Sequence, residues 1–161
     1  MIELIVYVTL FIILSVSAFQ LIVSAFSVYR HAKLWRTVNV EGEAALQMII
    51  REVRDAYAVD NSLSAFDINP GTIALRTFAY PTGTATTSSL IRKGAGGAIE
   101  LIKGTTTVSL TNDAVLQNLV FRSITTPKSR GIRVELTLTA SSSIASTTSN
   151  FYGTAVLRGS Y

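Results

Sequence analysis

Residues 4–29 read LIVYVTLFIILSVSAFQLIVSAFSVY. The run holds no Asp, Glu, Lys, Arg, Pro or Gly, and a single acid, Glu3, stands immediately before it. As a helix it reaches roughly 39 Å, against about 30 Å for the hydrocarbon core of a bilayer. A retained membrane helix is the expectation. The run is too long for the apolar part of a cleavable signal peptide. No small-residue cleavage pattern follows it; it leads straight into Arg30, His31 and Lys33. A carboxylate at the edge of such a segment is costly in lipid and calls for a partner. If the helix is an ordinary anchor, the positive-inside tendency places Arg30, Lys33 and Arg36 on the cytoplasmic side.

Beyond Tyr29 the pattern turns amphipathic without a break. The first glycine is Gly42 and the first proline Pro70, so nothing in residues 2–57 forces a helix to stop. Leu34, Trp35, Val38, Gly42, Ala45, Leu46, Ile49, Ile50, Val53 and Tyr57 recur at spacings of three and four. Lys33, Arg36, Asn39, Glu43, Gln47, Arg51, Glu52, Arg54 and Asp55 fall mainly on the other face. One helix of roughly 85 Å is predicted, ending near the turn-prone cluster Asp60-Asn61-Ser62. Its first half is apolar all round and wants lipid or other helices. Its second half has one apolar stripe and wants a domain on that side. Leu46, Ile49, Ile50 and Val53 are expected to pack under that domain.

From residue 61 the texture is Thr/Ser-rich and strand-like. Strands are predicted over residues 72–78, 86–93, 97–103, 105–110, 117–125, 131–140 and 151–157, with turns at Asn69-Pro70-Gly71, Pro81-Thr82-Gly83 and Thr126-Pro127-Lys128-Ser129. The alternation of Ile132, Val134, Leu136 and Leu138 with Arg133, Glu135, Thr137 and Thr139 is the clearest half-buried strand. Residues 141–149 read as a low-complexity Ser/Thr/Ala loop. The expected fold class is α+β: a long N-terminal helix packed on an antiparallel sheet. The divisions are 1–29 apolar helix, 30–60 amphipathic continuation and 61–161 sheet head.

Composition removes several function classes. With no cysteine among 161 residues, neither a disulfide framework nor a thiolate metal site is possible. The formal charge of +4 is spread thinly. Arg76, Arg92, Lys93, Arg130 and Arg133 make a nucleic-acid surface only if the fold gathers them. Gly94, Gly96 and Gly97 lack the Lys-Ser/Thr of a phosphate loop and precede a strand, so they read as a hairpin turn. His31 is the only histidine and has no triad context. Asp60, Asp67, Glu100, Asp113 and Glu135 are scattered, without calcium-loop spacing. No metal, cofactor or catalytic residue is expected. The Ser/Thr loop is a solvated surface and a candidate for O-linked sugar.

Ile2-Glu3-Leu4, followed by the apolar run, resembles the start of type IV pilins and of type II secretion pseudopilins. In that family an Ile/Val-Glu-Leu core opens the conserved helix. The segment EAALQMIIREVRDA (residues 43–56), the later VFRSI and IRVELTLT strands and the end of the chain, 154–161, look like the larger J-type minor pseudopilins. The resemblance covers most of the chain and is most specific over the first thirty residues. It implies a structural, non-enzymatic subunit. Glu3 would pair with the N-terminal amine of a neighbouring subunit and so set register as helices stagger into a filament. The implied partners are other pilin or pseudopilin subunits, an inner-membrane assembly platform and, before assembly, membrane lipid. The implied location is a single pass of the inner membrane with the head outside the cytoplasm, then an extracellular or periplasmic filament. The family's Gly-Phe-Thr does not precede Ile2, where Met1 stands; its peptidase processing is not implied by these residues. The family's basic leader would hold its lysines in the cytoplasm and carry Arg30 and Lys33 outward with the head. The alternatives are a major pilin, a DNA-uptake pilin with a basic head, and a signal-anchored extracytoplasmic binding domain.

Overall fold

A computed structural model describes residues 2–78, 85–126, 129–143 and 145–158. The Pro81-Thr82-Gly83 turn lies outside the described residues, as do Pro127 and Lys128. One helix, α1 (Ile2–Asp55), precedes eight strands. They are β1 (Ala58–Val59), β2 (Ile73–Phe78), β3 (Ala85–Lys93), β4 (Ile99–Lys103), β5 (Thr106–Ser109), β6 (Val115–Thr125), β7 (Arg130–Ser141) and β8 (Ser146–Val156). The fold is α+β, but the head has two antiparallel sheets rather than one. The first runs β1-β2-β3-β4-β5 and the second β6-β7-β8, both in chain order.

The helix is unbroken because its sequence contains no proline and its one glycine, Gly42, sits under a packed side chain. It stops at Asp55, before the predicted turn cluster. The reason is competition from the sheet: the Tyr57 N–H is taken by the Arg76 carbonyl at 2.8 Å, and Ala58 then pairs with Arg76 in β1–β2. The turn at residues 60–62 comes after this strand. There the Asp60 carboxylate accepts from the Ser62 N–H at 3.1 Å and its hydroxyl at 2.6 Å.

The predicted loop at 141–149 is instead the end of a hairpin. β7 continues to Ser141 and β8 begins at Ser146, with Ser141 paired to Ser146. The connecting turn is closed by the Ser142 N–H on the Ala145 carbonyl at 2.7 Å. The glycine cluster is a hairpin turn joining β3 to β4. A short 3-10 turn, Ala95–Gly97, places Gly96 and Gly97 at φ of 75° and 83°, where a side chain would strain the backbone. The following strand therefore starts at Ile99, not at Gly97.

The two sheets are tied together by chain segments rather than by a shared strand. Residues 67–71 run along the outer edge of β6. The Asp67 N–H donates to the Phe121 carbonyl at 3.0 Å, and the Gly71 N–H to the Leu119 carbonyl at 2.7 Å. Asn69 adds a side-chain pair, accepting from the Leu119 N–H at 3.1 Å and donating to the Gln117 carbonyl at 3.3 Å. The core lies between the C-terminal half of α1 and the sheets. Ile49, Val53, Leu75, Ile91, Phe121 and Leu136 are among its fully enclosed side chains.

Candidate functional site

The candidate functional element is α1, which changes character along its length. Over its apolar stretch no part is buried against the rest of the chain. Phe11 is 69% and Phe19 68% exposed, values that packed aromatic side chains do not have. The helix is long and apolar enough to cross a membrane. Glu3 lies in its first turn, and among the described residues no side chain lies within ion-pair distance of it. Two of the polar residues in the run are satisfied locally. The Thr9 hydroxyl donates to the Ile5 carbonyl and the Ser27 hydroxyl to the Ser24 carbonyl, each at 2.8 Å. Hydroxyls bonded this way cross an apolar medium at little cost.

Packing begins at Leu34, and Val38, Gly42, Ala45, Ile49 and Val53 are buried. These residues fall on one stripe at spacings of three and four. Ile49 and Val53 face the enclosed core, whereas Leu46 and Ile50 are half-buried on its flank against β8. A Cβ on Gly153 would stand 2.6 Å from Ile50 Cδ1 and 3.0 Å from Leu46 Cδ1. A Cβ on Gly42 would fall on the Phe151 ring. Two glycines, one on each partner, thus let the helix backbone and β8 approach closely. Both run the same way: Gly42 meets Phe151, Leu46 and Ile50 meet Gly153, and the Ala56 carbonyl accepts from the Arg158 N–H at 3.2 Å.

Polar fastenings hold the helix's other flank. The Glu41 carboxylate accepts from the backbone N–H groups of Asn112 at 3.0 Å, Asp113 at 3.1 Å and Ala114 at 3.0 Å. A carboxylate on three successive amides is a charge-assisted clamp on the link between β5 and β6. Lys103 of β4 pairs with Glu52 at 2.6 Å. The sequence pattern did not single out Glu41. Its only signal was an acid beside the apolar stripe, three residues after Val38 and one before Gly42.

Four of the five head cations singled out above have close partners, while for Lys93 no ion pair is found among the described residues. Arg76 pairs with the buried Asp60 at 3.1 Å, Arg92 with Glu100 at 3.4 Å and Arg133 with Glu135 at 3.3 Å. Arg130 donates to Asn61 at 2.8 Å and sits 5.9 Å over the Phe66 ring. Arg122 bridges Glu135 and Asp67, and its pKa is raised, foremost by the hydrogen bond to Glu135. His31 is exposed just beyond the apolar run. Among the described residues no three acids or imidazoles stand close enough to hold a metal ion.

Comparison with protein-family models, with curated proteins and with solved structures returns no match in any of the three.

Proposed function

We propose that the chain is a pilin-like structural subunit, of the type IV pilus or type II secretion pseudopilus kind, which assembles through its N-terminal helix. The observation that carries this reading is the division of one continuous helix. No residue from 2 to 33 is buried by its own chain, while residues 34–55 are fastened into the head. A membrane anchor alone needs neither a helix that continues rigidly into the head nor a carboxylate in its first turn. A subunit that must pass from lipid into a helical bundle uses both. Leaving lipid for equally apolar helices changes little hydrophobic energy, so packing and a buried charge pair can set register.

In this role the head stands outside the cytoplasm and the apolar helix stores the subunit in the inner membrane until assembly. Glu3 would meet the N-terminal amine of a neighbouring copy. The likeness of the later segments to J-type pseudopilins favours a minor subunit. The ion pairs and stacking around Arg76, Arg92, Arg130 and Arg133 weigh against the DNA-uptake alternative, which needs cations offered together to a strand.

The test is to shear cells that carry the intact assembly apparatus and image the released material by electron microscopy with antibody against the head. Thin filaments containing the chain are expected, and Glu3→Ala should cut their yield at equal expression. Recovery of the chain only from the membrane fraction, as a monomer and with no effect of Glu3→Ala, would overturn the reading.

A further inference from the structure

Where the bare part of α1 gives way to the covered part, two cavities lie side by side. One, of about 270 Å³, is walled by Val23 and Phe26 of the helix and by Ala145 of the β7–β8 turn. The other, of about 530 Å³, is walled by Lys33 and Thr37 of the helix, by Ser141 and Ser143 of the hairpin, and by Asp113. Arg30 lines both. The first cavity is on the apolar, N-terminal side and the second on the polar, head side. They share Arg30, so an apolar and a polar hollow meet at one guanidinium, and this pair is the candidate groove.

The polar end has a net positive lining. Arg30 and Lys33 face it, and among the described residues neither is ion-paired. The one acid on that lining is Asp113, against the two cations Arg30 and Lys33. The Ser142 hydroxyl is spent on closing the hairpin turn, through the Ala145 N–H at 3.2 Å. Ser141 and Ser143 are left as the hairpin's hydroxyl lining. An arginine fork and an ammonium flanked by hydroxyls suit a phosphodiester. Val23 and Phe26 suit the first methylenes of an acyl chain. Each volume is near or within the roughly 300–1,000 Å³ of small-ligand sites.

We propose that this groove binds one anionic phospholipid, with its phosphate between Arg30 and Lys33 and an acyl chain along Val23 and Phe26. The proposal rests on the reading that the apolar run lies in a bilayer. It also gives the basic cluster a function on whichever side of the membrane the head stands. A bound lipid would seat the hairpin tip on the membrane surface and fix the height at which the head is held. Leaving the membrane would then require the lipid to be shed.

The test uses the full chain reconstituted in nanodiscs of phosphatidylcholine alone, or of four parts phosphatidylcholine to one of phosphatidylglycerol, then released for native mass spectrometry. One retained phosphatidylglycerol per chain is expected, preferred about ten-fold over phosphatidylcholine. Arg30→Gln with Lys33→Gln should abolish the preference; both side chains are exposed, so the head stays folded. Arg36→Gln removes the same charge from a residue that lines neither cavity but an adjoining depression nearer the head, and should leave most of it. Equal losses from Arg36→Gln and Arg30→Gln would overturn the site in favour of general attraction to the membrane surface. Retention of inorganic phosphate in place of lipid would overturn the lipid assignment in favour of a free anion. Failure of the chain to enter the bilayer would remove the membrane reading and the site with it. Insertion without any lipid preference would remove the site alone.

Discussion

Residues 2–33 and residues 34–55 belong to one helix and share one backbone geometry, yet they owe their stability to different things. The second segment is held by its own chain: an enclosed stripe, two glycine-mediated close approaches and the Glu41 and Glu52 fastenings. The first segment has none of these and is exposed throughout. Its helix must be completed by whatever surrounds it. Hydrophobicity alone therefore does not say where a helix belongs. A stripe commits it to its own domain, and an all-round apolar surface commits it elsewhere.

The comparison breaks most sharply at Ile49. A chain shortened to begin at Val28 should be soluble, folded and monomeric by sedimentation, because none of the removed residues is buried. In that background Ile49→Asp places an unpaired charge in the enclosed core, and denaturant unfolding should show a loss of several kcal/mol. Ile50→Asp should cost distinctly less, since Ile50 is only half-buried against Gly153. Equal losses at the two positions would show that the flank and the stripe are not different environments.

Next in size is the close approach. Gly42→Val forces its side chain into the Phe151 ring and should cost about 1–3 kcal/mol. Combining Gly42→Ala with Phe151→Ala should cost less than the sum of the two single changes, as a double-mutant cycle measures. Strict additivity would mean that helix and strand do not meet there. Glu41→Gln keeps the shape of the clamp but loses its charge, and about 1 kcal/mol is expected from unfolding curves, since the amides it serves are partly solvated. The smallest effect belongs to the bare segment. Glu3→Ala in the full chain should leave the head's melting temperature unchanged, and a shift of several degrees would mean that the first turn touches the head after all.

The parts legible in the sequence are those where side-chain chemistry changes with the period of the backbone. Ile132, Val134, Leu136 and Leu138 alternate with polar residues and are buried accordingly. Val38, Ala45, Ile49 and Val53 repeat at the helical spacing and form the enclosed stripe. The start of β8 was illegible because both of its faces carry the same chemistry. Thr147 and Ser149 point inward while Thr148 and Asn150 point out, so no contrast marks the strand. What fixes it is pairing with β7, including the Thr139–Thr148 hydroxyl pair at 2.7 Å and Thr137 donating to Asn150 at 2.8 Å. The split into two sheets was hidden for a related reason. It depends on residues 67–71 covering β6, a contact across some fifty residues of chain that no local pattern announces. Of the site residues, Glu3 was visible as a lone acid before an apolar run. Glu41 was not, since its partners are backbone amides with no sequence signature.

The shared direction of α1 and β8 has a mechanical consequence. Between Gly42 and Ala56 the helix advances about 21 Å, and between Phe151 and the end of β8 at Val156 the strand advances about 17 Å before the chain continues to Arg158. Contacts along this stretch follow one another in the same order along helix and strand. A pull on the helix along its axis would load them all in shear, and they would have to yield together. A sideways pull on the helix would peel them apart one at a time. The head is therefore tough along the line in which its helix points and soft across it.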